Sequence, residues 1–286
     1  MIKKEKKTLP AVRSWYKVDN AANMYSIARS KNFSRTYRNS VVLSENIDIE
    51  TMQRALEKTA KRFPTMNTVL RTGAFWSYLE HTDRVPKIEE ELCIPARYIL
   101  HNGEDSLCYR VNVYKNRLSI DMFHGLADGA GALAFLKTLV VTYYELKGIH
   151  PVSYCGVANT ADEPSVAEVE DSSPKYAVPV KKAVKPKQPP VYIGENDQIE
   201  DFVRFVYGRF PVSTVKTVAK QYRLTITEYL AAAMIMMFIH CSDEPIDLPI
   251  KISIPVDLRR RFPSDTVRNF VFMTEAVFDP HGEKDI

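Results

Sequence analysis

The first half of the chain contains two hydrophobic periodicities, which together predict a mixture of helices and strands. Five apolar residues recur at the spacing of an α-helix: Ile49, Met52, Leu56, Ala60 and Phe63. Asp48 can act as the N-cap of this helix, and Pro64 ends it. A shorter helix is expected at residues 21–30. Three runs have the composition of strands: residues 37–43, 68–71 and 75–80.

Two further strand-like runs, residues 107–114 and 117–123, are separated only by Lys115-Asn116 and predict a β-hairpin. The second run alternates apolar and polar side chains, as a half-buried strand does. It leads directly to His124. A long helix is then expected over residues 129–146, with Gly148 as its C-cap.

The last hundred residues repeat this alternation of strands and helices. The expected elements are strands at 199–210 and 248–255, a helix at 213–222 capped by Ser213, and a helix from Thr227 that ends before Cys241. The longest apolar run of the chain, residues 229–239, lies inside the second helix and predicts that it is buried. At eleven residues this run is about half of the roughly 20 that a membrane-spanning helix needs. The pattern as a whole is that of an α/β or α+β protein.

A change in composition divides the chain. Residues 153–190 contain six prolines, an acidic and serine-rich stretch and then several lysines, without apolar periodicity. Such a segment buries too little apolar surface to offset the entropy of ordering it, so it is predicted to be an extended linker. The expected domains are therefore residues 1–152, the linker 153–190, and residues 191–286.

Composition and charge argue against several classes of function. Of 286 residues, 45% are hydrophobic and 26% charged, typical of a globular protein, and Lys plus Arg exceed Asp plus Glu by only 4. The one dense basic cluster, residues 3–7, is interpreted as a solvated tail, so no nucleic-acid partner is expected. No apolar signal segment follows that tail. The four cysteines are far apart, which argues against a zinc site and fits a reduced, cytoplasmic protein.

The densest group of chemically reactive residues is the segment 123–129, between a predicted strand and a predicted helix. His124 at a strand end can be held rigidly, and imidazole exchanges protons near neutral pH. Asp128 is placed where a carboxylate is favoured by a helix N-terminus. Gly129 and Gly131 permit close backbone approach. The alternatives are a structural histidine, which spacing alone favours, and a metal site, for which a third ligand is missing.

The pattern His124-x-x-x-Asp128-Gly129, followed by a helix of small residues, resembles the active-site motif of the chloramphenicol acetyltransferase and condensation-domain superfamily. These acyltransferases use thioesters of coenzyme A or of carrier proteins. The motif often has two histidines. Here Phe123 occupies the first position, as in members that resemble alcohol acetyltransferases and acyltransferases associated with polyketide products.

A second stretch, residues 254–270, resembles the second-lobe segment of the same superfamily, in which an arginine follows a strand and an asparagine comes about ten residues later. Arg259 and Asn269 are the matching residues. The opening segment 15–19 and the position of the linker also fit. The resemblance therefore covers most of the chain with two motifs in the right order.

The resemblance implies an α+β two-layer sandwich, a chloramphenicol acetyltransferase-like lobe followed by a partial second lobe of the same kind. It implies that His124 is a general base that deprotonates an acceptor alcohol, which attacks an acyl-CoA thioester directly. Asp128 would form a structural ion pair with Arg259, and Gly129 and Asn269 would support the site. The expected partners are acyl-CoA, as a co-substrate and not a bound cofactor, and a small alcohol. No metal is expected.

The chain also departs from the superfamily pattern, because a later Asp-Phe-Gly-Trp-Gly-like motif and a crossing strand of the second lobe are missing. The expectation is a truncated product, or a partial chain completed by a homo-oligomer or by a complementing chain. Two functions besides an acyl-CoA-dependent O-acyltransferase therefore stay open. One is a carrier-protein-dependent condensation or polyketide-type acyltransferase, and the other is an inactive acyltransferase-like fragment that binds a partner or ligand.

Overall fold

The computed structural model describes residues 12–27, 34–73, 76–91, 95–96, 98–99, 106–178, 189–191, 206–242 and 245–282. Contacts divide the chain into two compact units. Unit 1 comprises Met1–Ala177 and Asp257–Phe270, and unit 2 comprises Val178–Val256 and Val271–Ile286. The segment 257–270, expected to be part of the second lobe, is therefore grouped by its contacts with the first unit.

The described part of unit 1 contains two sheets, whose strands we number in chain order. The three-stranded sheet has the order β1-β4-β3 and is antiparallel: β1 (Trp15–Lys17), β3 (Thr68–Thr72) and β4 (Ser77–His81). The four-stranded sheet has the order β2-β7-β6-β5: β2 (Thr36–Val42), β5 (Glu89–Glu90), β6 (Tyr109–Tyr114) and β7 (Arg117–Phe123). Its pairs are antiparallel except for the parallel pair β5–β6. Strand β7 spans the predicted residues 117–123, and the predicted β6–β7 hairpin is confirmed.

The described residues of unit 1 also form three longer helices and two short ones. They are α1 (Asn20–Ile27), α2 (Ile49–Arg62), α3 (Gly129–Leu146), α4 (Val166–Val169) and α5 (Ser173–Tyr176). The Asp48 side chain caps α2 by accepting from the Glu50 N–H, as predicted. Helix α3 has the predicted bounds, but Lys147 and not Gly148 occupies the C-cap position. Gly148 follows the cap with a φ of +77°, the left-handed conformation that ends many helices.

The core of unit 1 lies between these helices and the inner faces of the sheets. Helices α2 and α3 pack along each other, and both contribute fully buried side chains, such as Leu56 and Phe135. Leu118 and Met122 of β7 are buried in the same cluster. This arrangement holds the end of β7 and the start of α3 rigidly, because both are packed into one core.

The first part of the predicted linker is folded. Helices α4 and α5 lie within unit 1, and Val169 is buried in its core. Arg62 of α2 donates to both carboxylate oxygens of Glu168, at 2.7 and 3.0 Å. Burial opposes ionisation of Glu168, but the Arg62 contacts outweigh it and lower the pKa of that carboxyl. Not all acidic residues of this stretch are solvated, because Glu168 forms an ion pair with Arg62 of another element.

The described part of unit 2 consists of two helices and two strands. They are α6 (Val212–Gln221), α7 (Ile226–Cys241) and the paired strands β8 (Ile250–Asp257) and β9 (Val271–Phe278). A short 3₁₀ turn, Leu258–Arg260, follows β8 within unit 1. Of the predicted strand 199–210, residues 199–205 lie outside the described residues. The remaining residues, 206–210, form no regular secondary structure. Within the described ranges, no single helix is long and apolar enough to cross a bilayer. Helices α6 and α7 together have the required length and apolar composition, but they are bent by 80° at the break between them.

Two details of unit 2 correct the sequence predictions. Ser213 is not the cap of α6, because the helix begins one residue earlier and Pro211 occupies the N-cap position. The predicted burial of residues 229–239 is wrong: Ala231 is the one buried residue of α7, and Met236 is 61% exposed. An apolar helix is buried only where other elements cover it, and the described elements of unit 2 do not surround α7.

Candidate active site

His124 lies in the turn that joins the end of β7 to the start of α3. Its backbone N–H donates to the carbonyl of Arg35 at 2.8 Å, and the N–H of Phe123 donates to the carbonyl of Cys108 at 2.9 Å. The N–H of Leu126 closes the turn by donating to the carbonyl of Phe123 at 2.9 Å. These bonds fix the backbone on both sides of the histidine.

Two tyrosines contact the imidazole ring of His124. Tyr25 of α1 stacks on it with ring centroids 4.3 Å apart and an interplanar angle of 26°, and Tyr37 of β2 lies at 4.8 Å and 52°. The ring is partly exposed, while its Nδ1 is buried and has no hydrogen-bond partner among the described residues. The Tyr37 hydroxyl lies 3.0 Å from the carbonyl oxygen of Ala127 and 3.1 Å from that of Asp128. Burial raises the pKa of both phenols, so each remains neutral.

Asp128 is 2% exposed, and its carboxylate is fully engaged by groups other than His124. Oδ1 caps α3 by accepting from the Gly131 N–H at 3.0 Å. Oδ2 accepts from Nη1 of Arg259 and from the backbone N–H of Phe270, both at 2.8 Å. No hydrogen bond joins it to His124 in the part of the chain that the structure describes, so the two residues do not form a dyad.

The Arg259 guanidinium is held in place by its own segment of unit 1. It donates to the carbonyl of Thr266 at 2.9 and 2.8 Å, and to that of Arg268 at 2.7 Å. Its Nη1 also donates to a carboxylate oxygen of Asp257 at 3.0 Å. These contacts orient the side chain before it meets Asp128. The ion pair that the resemblance implied is present, and it joins two segments of the same compact unit.

The glycines after Asp128 differ in what they contribute. A Cβ at Gly131 would lie 1.9 Å from the backbone oxygen of Val267, so the segment 257–270 can pack against α3 only if residue 131 lacks a side chain. A Cβ at Gly129 would meet nothing within 4 Å. The expected close backbone approach is therefore found at Gly131, and the structure gives Gly129 no supporting contact of this kind.

Asn269 supports a neighbouring part of unit 1. It is 2% exposed, and its Nδ2 donates to the carboxylate of Asp19 at 3.4 Å, while its Oδ1 has no partner among the described residues. Arg268 donates to the carbonyl of Lys17 and lies 3.5 Å from the same carboxylate. Burial raises the pKa of Asp19 despite this arginine. Because Asp19 also accepts from the N–H of Ala22 at 2.7 Å, this cluster anchors the start of α1, the helix that carries Tyr25.

Sequence reasoning missed the residues that contact the histidine from other elements. Tyr25 and Tyr37 are distant from the motif in sequence. The one available signal for Tyr37 was its place on a predicted strand that could pair with the motif strand. The observed register places it opposite Met122, two residues before His124. Nothing in the local pattern around Tyr25 indicated that its ring would reach the histidine.

This arrangement presents a partly exposed imidazole in a fixed orientation, with no carboxylate bonded to it in the described residues. Such a group can accept a proton from an alcohol or amine and return it, which is general acid–base chemistry. In the ranges that the structure describes, no three His, Cys, Asp or Glu side chains are placed to hold a metal ion.

Solved structures with the same fold include acyltransferase-type proteins. Polyketide synthase associated protein 5 from Mycobacterium tuberculosis matches with a TM-score of 0.60 at 13% identity, over 96% of this chain and 69% of that chain. F. graminearum TRI101, complexed with coenzyme A and T-2 mycotoxin, matches with a TM-score of 0.59 at 13% identity, over 92% and 69%. The first condensation domain of the calcium-dependent antibiotic synthetase, in complex with a substrate analogue, matches with a TM-score of 0.55 at 11% identity, over 93% and 69%.

These matches show that the chain has the chloramphenicol acetyltransferase-like, condensation-domain acyltransferase fold, which confirms the fold class implied by the sequence. The chain spans 69% of the length of each of these proteins, consistent with a partial second lobe. At identities of 11–13% the likeness establishes the fold alone. No protein-family model and no curated protein sequence matches the chain.

Proposed function

We propose that this chain carries the catalytic lobe of an O-acyltransferase that moves an acyl group from a coenzyme A thioester to an alcohol, with His124 as the general base. The observation that carries the proposal is the imidazole of His124, held at the end of β7 between Tyr25 and Tyr37. A base works only when its nitrogen is held at hydrogen-bond distance from the proton it removes.

The chemical step needs one proton carrier and no nucleophilic side chain. The imidazole takes the proton of the acceptor hydroxyl as that oxygen attacks the thioester carbonyl. When the tetrahedral intermediate collapses, the carbon–sulfur bond breaks and the imidazolium returns the proton to the leaving sulfur. The products are an ester and a free thiol, so atoms and charges balance without a covalent acyl-enzyme.

Asp128 acts in this proposal as a structural residue. In a Ser-His-Asp triad the carboxylate bonds to the imidazole and orients it. Here both carboxylate oxygens of Asp128 are used by Gly131, Arg259 and Phe270. The two tyrosine rings take over the orientation of His124, and Asp128 fixes the turn on which the histidine sits.

The choice of thioester and acceptor rests on the fold and on the chemistry of a lone imidazole. TRI101 with this fold was solved with coenzyme A and T-2 mycotoxin. That precedent supports coenzyme A as the carrier of the acyl group, and acyl-CoA is then a substrate and not a resident cofactor. A condensation domain with the same fold supports the second candidate, in which the thioester is attached to a carrier protein.

Thiol release tests the proposal directly. The chain is incubated with acetyl-CoA and a panel of primary and secondary alcohols, and free thiol is measured with a chromogenic disulfide. We expect alcohol-dependent thiol release, with the ester detected by mass spectrometry. Release only with an acylated phosphopantetheinyl carrier protein would favour the second candidate. A folded chain that releases no thiol from either donor would contradict an acyltransferase and favour a binding fragment.

A further inference from the structure

Both tryptophans of the chain lie on the solvent face of the three-stranded sheet, far along the chain from the motif of His124. Trp15 of β1 is 48% exposed and Trp76, just before β4, is 54% exposed, with ring centroids 5.7 Å apart. Tyr78 lies 5.1 Å from Trp76 and 6.3 Å from Trp15. We call Trp15, Trp76 and Tyr78 the aromatic face. Isolated exposed aromatics are common, but three in mutual contact form a patch that calls for a partner.

The strand register places charged side chains beside these rings. Lys17 and Arg71 both lie opposite Tyr78, in the β1–β4 and β3–β4 pairs. Glu80 lies opposite Trp15 and pairs with Arg71 at 2.6 Å, so Lys17 carries the net positive charge of these three residues. The alternate residues of the same strands, Tyr16 and Leu79, are buried in the core. The aromatic face is therefore the outer surface of a sheet whose inner surface is already packed.

The sequence that leads into Trp15 is strongly basic. The first 17 residues contain six Lys or Arg and one acidic residue. Since the whole chain has an excess of only 4 basic residues, the other 269 residues are slightly acidic in sum. The positive charge of the protein is thus concentrated in the segment that ends at the aromatic face.

We propose that the aromatic face docks on the surface of a lipid bilayer that contains anionic headgroups. Tryptophan and tyrosine partition into the interface between headgroups and acyl chains, because their rings are apolar and their N–H or O–H groups remain hydrated. Lysines near an anionic surface each strengthen binding by about five-fold at physiological ionic strength. The aromatic face supplies the insertion, and Lys17 together with the basic sequence that precedes it supplies the electrostatic attraction.

The ring geometry favours a bilayer over a nucleic acid. Single-stranded nucleic acids bind to aromatic side chains whose ring faces are open for stacking by successive bases. Here Trp15 packs edge to face against both neighbours, at interplanar angles of 62° to Trp76 and 78° to Tyr78, and Trp76 and Tyr78 are tilted by 39° to each other. Such a cluster presents mixed edges to its surroundings, which suits the disordered interface of a membrane.

Intrinsic fluorescence provides a specific test because the chain has no tryptophan outside this face. The full chain is mixed with vesicles of phosphatidylcholine alone or with 30% phosphatidylserine. With the anionic vesicles we expect tryptophan emission to move to shorter wavelength, acrylamide quenching to fall, and the protein to float with the vesicles. Neutral vesicles should produce a much smaller change.

Variants separate insertion from charge attraction. Trp15→Ala combined with Trp76→Ala should lower the vesicle-bound fraction at least ten-fold, with the circular dichroism spectrum unchanged. Tyr114→Ala is the matched control, since Tyr114 is also an exposed aromatic beside basic residues, 45% exposed and 5.5 Å from Lys115, and it should bind as the wild type does. Unchanged tryptophan emission with anionic vesicles would overturn the proposal, even if the chain floated with them. So would equal binding by the double variant, or an emission change seen with oligothymidine and not with vesicles.

Discussion

The carboxylate of Asp128 and the guanidinium of Arg259 are 131 residues apart in sequence and 2.8 Å apart in space. The Asp128 side chain is 3% exposed and the Arg259 side chain 17% exposed. The pair connects the turn that carries His124 to the segment 257–270. The backbone N–H of Phe270 strengthens this connection by donating to the same carboxylate oxygen of Asp128. The position of the histidine therefore depends on a contact between two remote parts of unit 1.

Breaking this pair should destabilise the fold. Arg259→Ala should lower the free energy of unfolding by about 3–5 kcal/mol, because the Asp128 carboxylate is left buried without its cation. Asp128→Asn should cost less, because Arg259 keeps the Asp257 carboxylate at 3.0 Å. Urea unfolding of the single and double variants measures this. The double variant should lose less than the sum of the two losses, since Asp128→Asn removes the buried carboxylate that Arg259→Ala leaves without a cation. Strictly additive losses would show that the contact contributes nothing.

Gly131 and Gly129 provide a matched pair of substitutions. In Gly131→Ala the new Cβ would meet the Val267 backbone oxygen at 1.9 Å, so the two segments must separate, and we expect a loss of about 1–3 kcal/mol in stability. Gly129→Ala adds a Cβ with open space around it and should gain up to about 1 kcal/mol, because alanine favours the helix. Thermal unfolding distinguishes them. Equal melting temperatures would mean that the two segments do not approach as closely as described.

The ring of Tyr25 is expected to orient His124 through stacking. Tyr25→Phe retains the ring and should keep most of the activity, whereas Tyr25→Leu should lower kcat by about 10–10²-fold, with KM for the thioester little changed, because a displaced base loses its alignment. Steady-state thiol release measures both constants. A Leu variant as active as the Phe variant would show that the stacking has no role in orientation.

Asp121 should make stability depend on acidity. Burial opposes its ionisation, but Arg38 and Arg110, at 2.6 to 2.9 Å, outweigh burial and lower the pKa of this carboxyl. A carboxyl whose pKa is lowered by folding stabilises the fold at pH values above 3.8, its pKa in the unfolded chain. This contribution is lost as the pH falls through the lower pKa of the folded chain.

We therefore expect the stability of the wild type to fall as the pH drops from about 5 to 3. Asp121→Asn should be less stable at pH 7 and should show a shallower acid dependence. Glu163→Gln, at an exposed site, is the control and should follow the wild-type curve. Urea unfolding across this pH range gives the measurement. Parallel curves for wild type and Asp121→Asn would contradict the assigned pairing.

Much of unit 1 follows from local sequence because its elements have strong periodicity and clear ends. The helix after Asp48, the strand that ends at Phe123 and the helix from Gly129 all lie within a residue of their predicted limits. In each case the capping residue, the apolar spacing and the turn chemistry favour the same structure. The motif histidine could be placed between strand and helix for the same reason.

Features that depend on remote contacts were missed. The Ser165 capping box and the Arg62–Glu168 pair fold residues that composition assigned to a linker. The exposure of α7 depends on which other elements pack against it, and this cannot be read from the apolar sequence of the helix itself. Tyr25 reaches His124 only because the contacts of Asp19 hold the start of α1 in place.

The catalytic role of His124 is tested by the rate of alcohol-dependent thiol release, measured for the wild type and for His124→Ala. With acetyl-CoA and the best acceptor alcohol, kcat should fall by about 10²–10⁴-fold in the variant, the range for a positioned general base. Its unfolding curve should match the wild type, because the ring of His124 is partly exposed and Asp128 still anchors the turn. Wild-type thiol release by a folded His124→Ala protein would contradict the proposed mechanism.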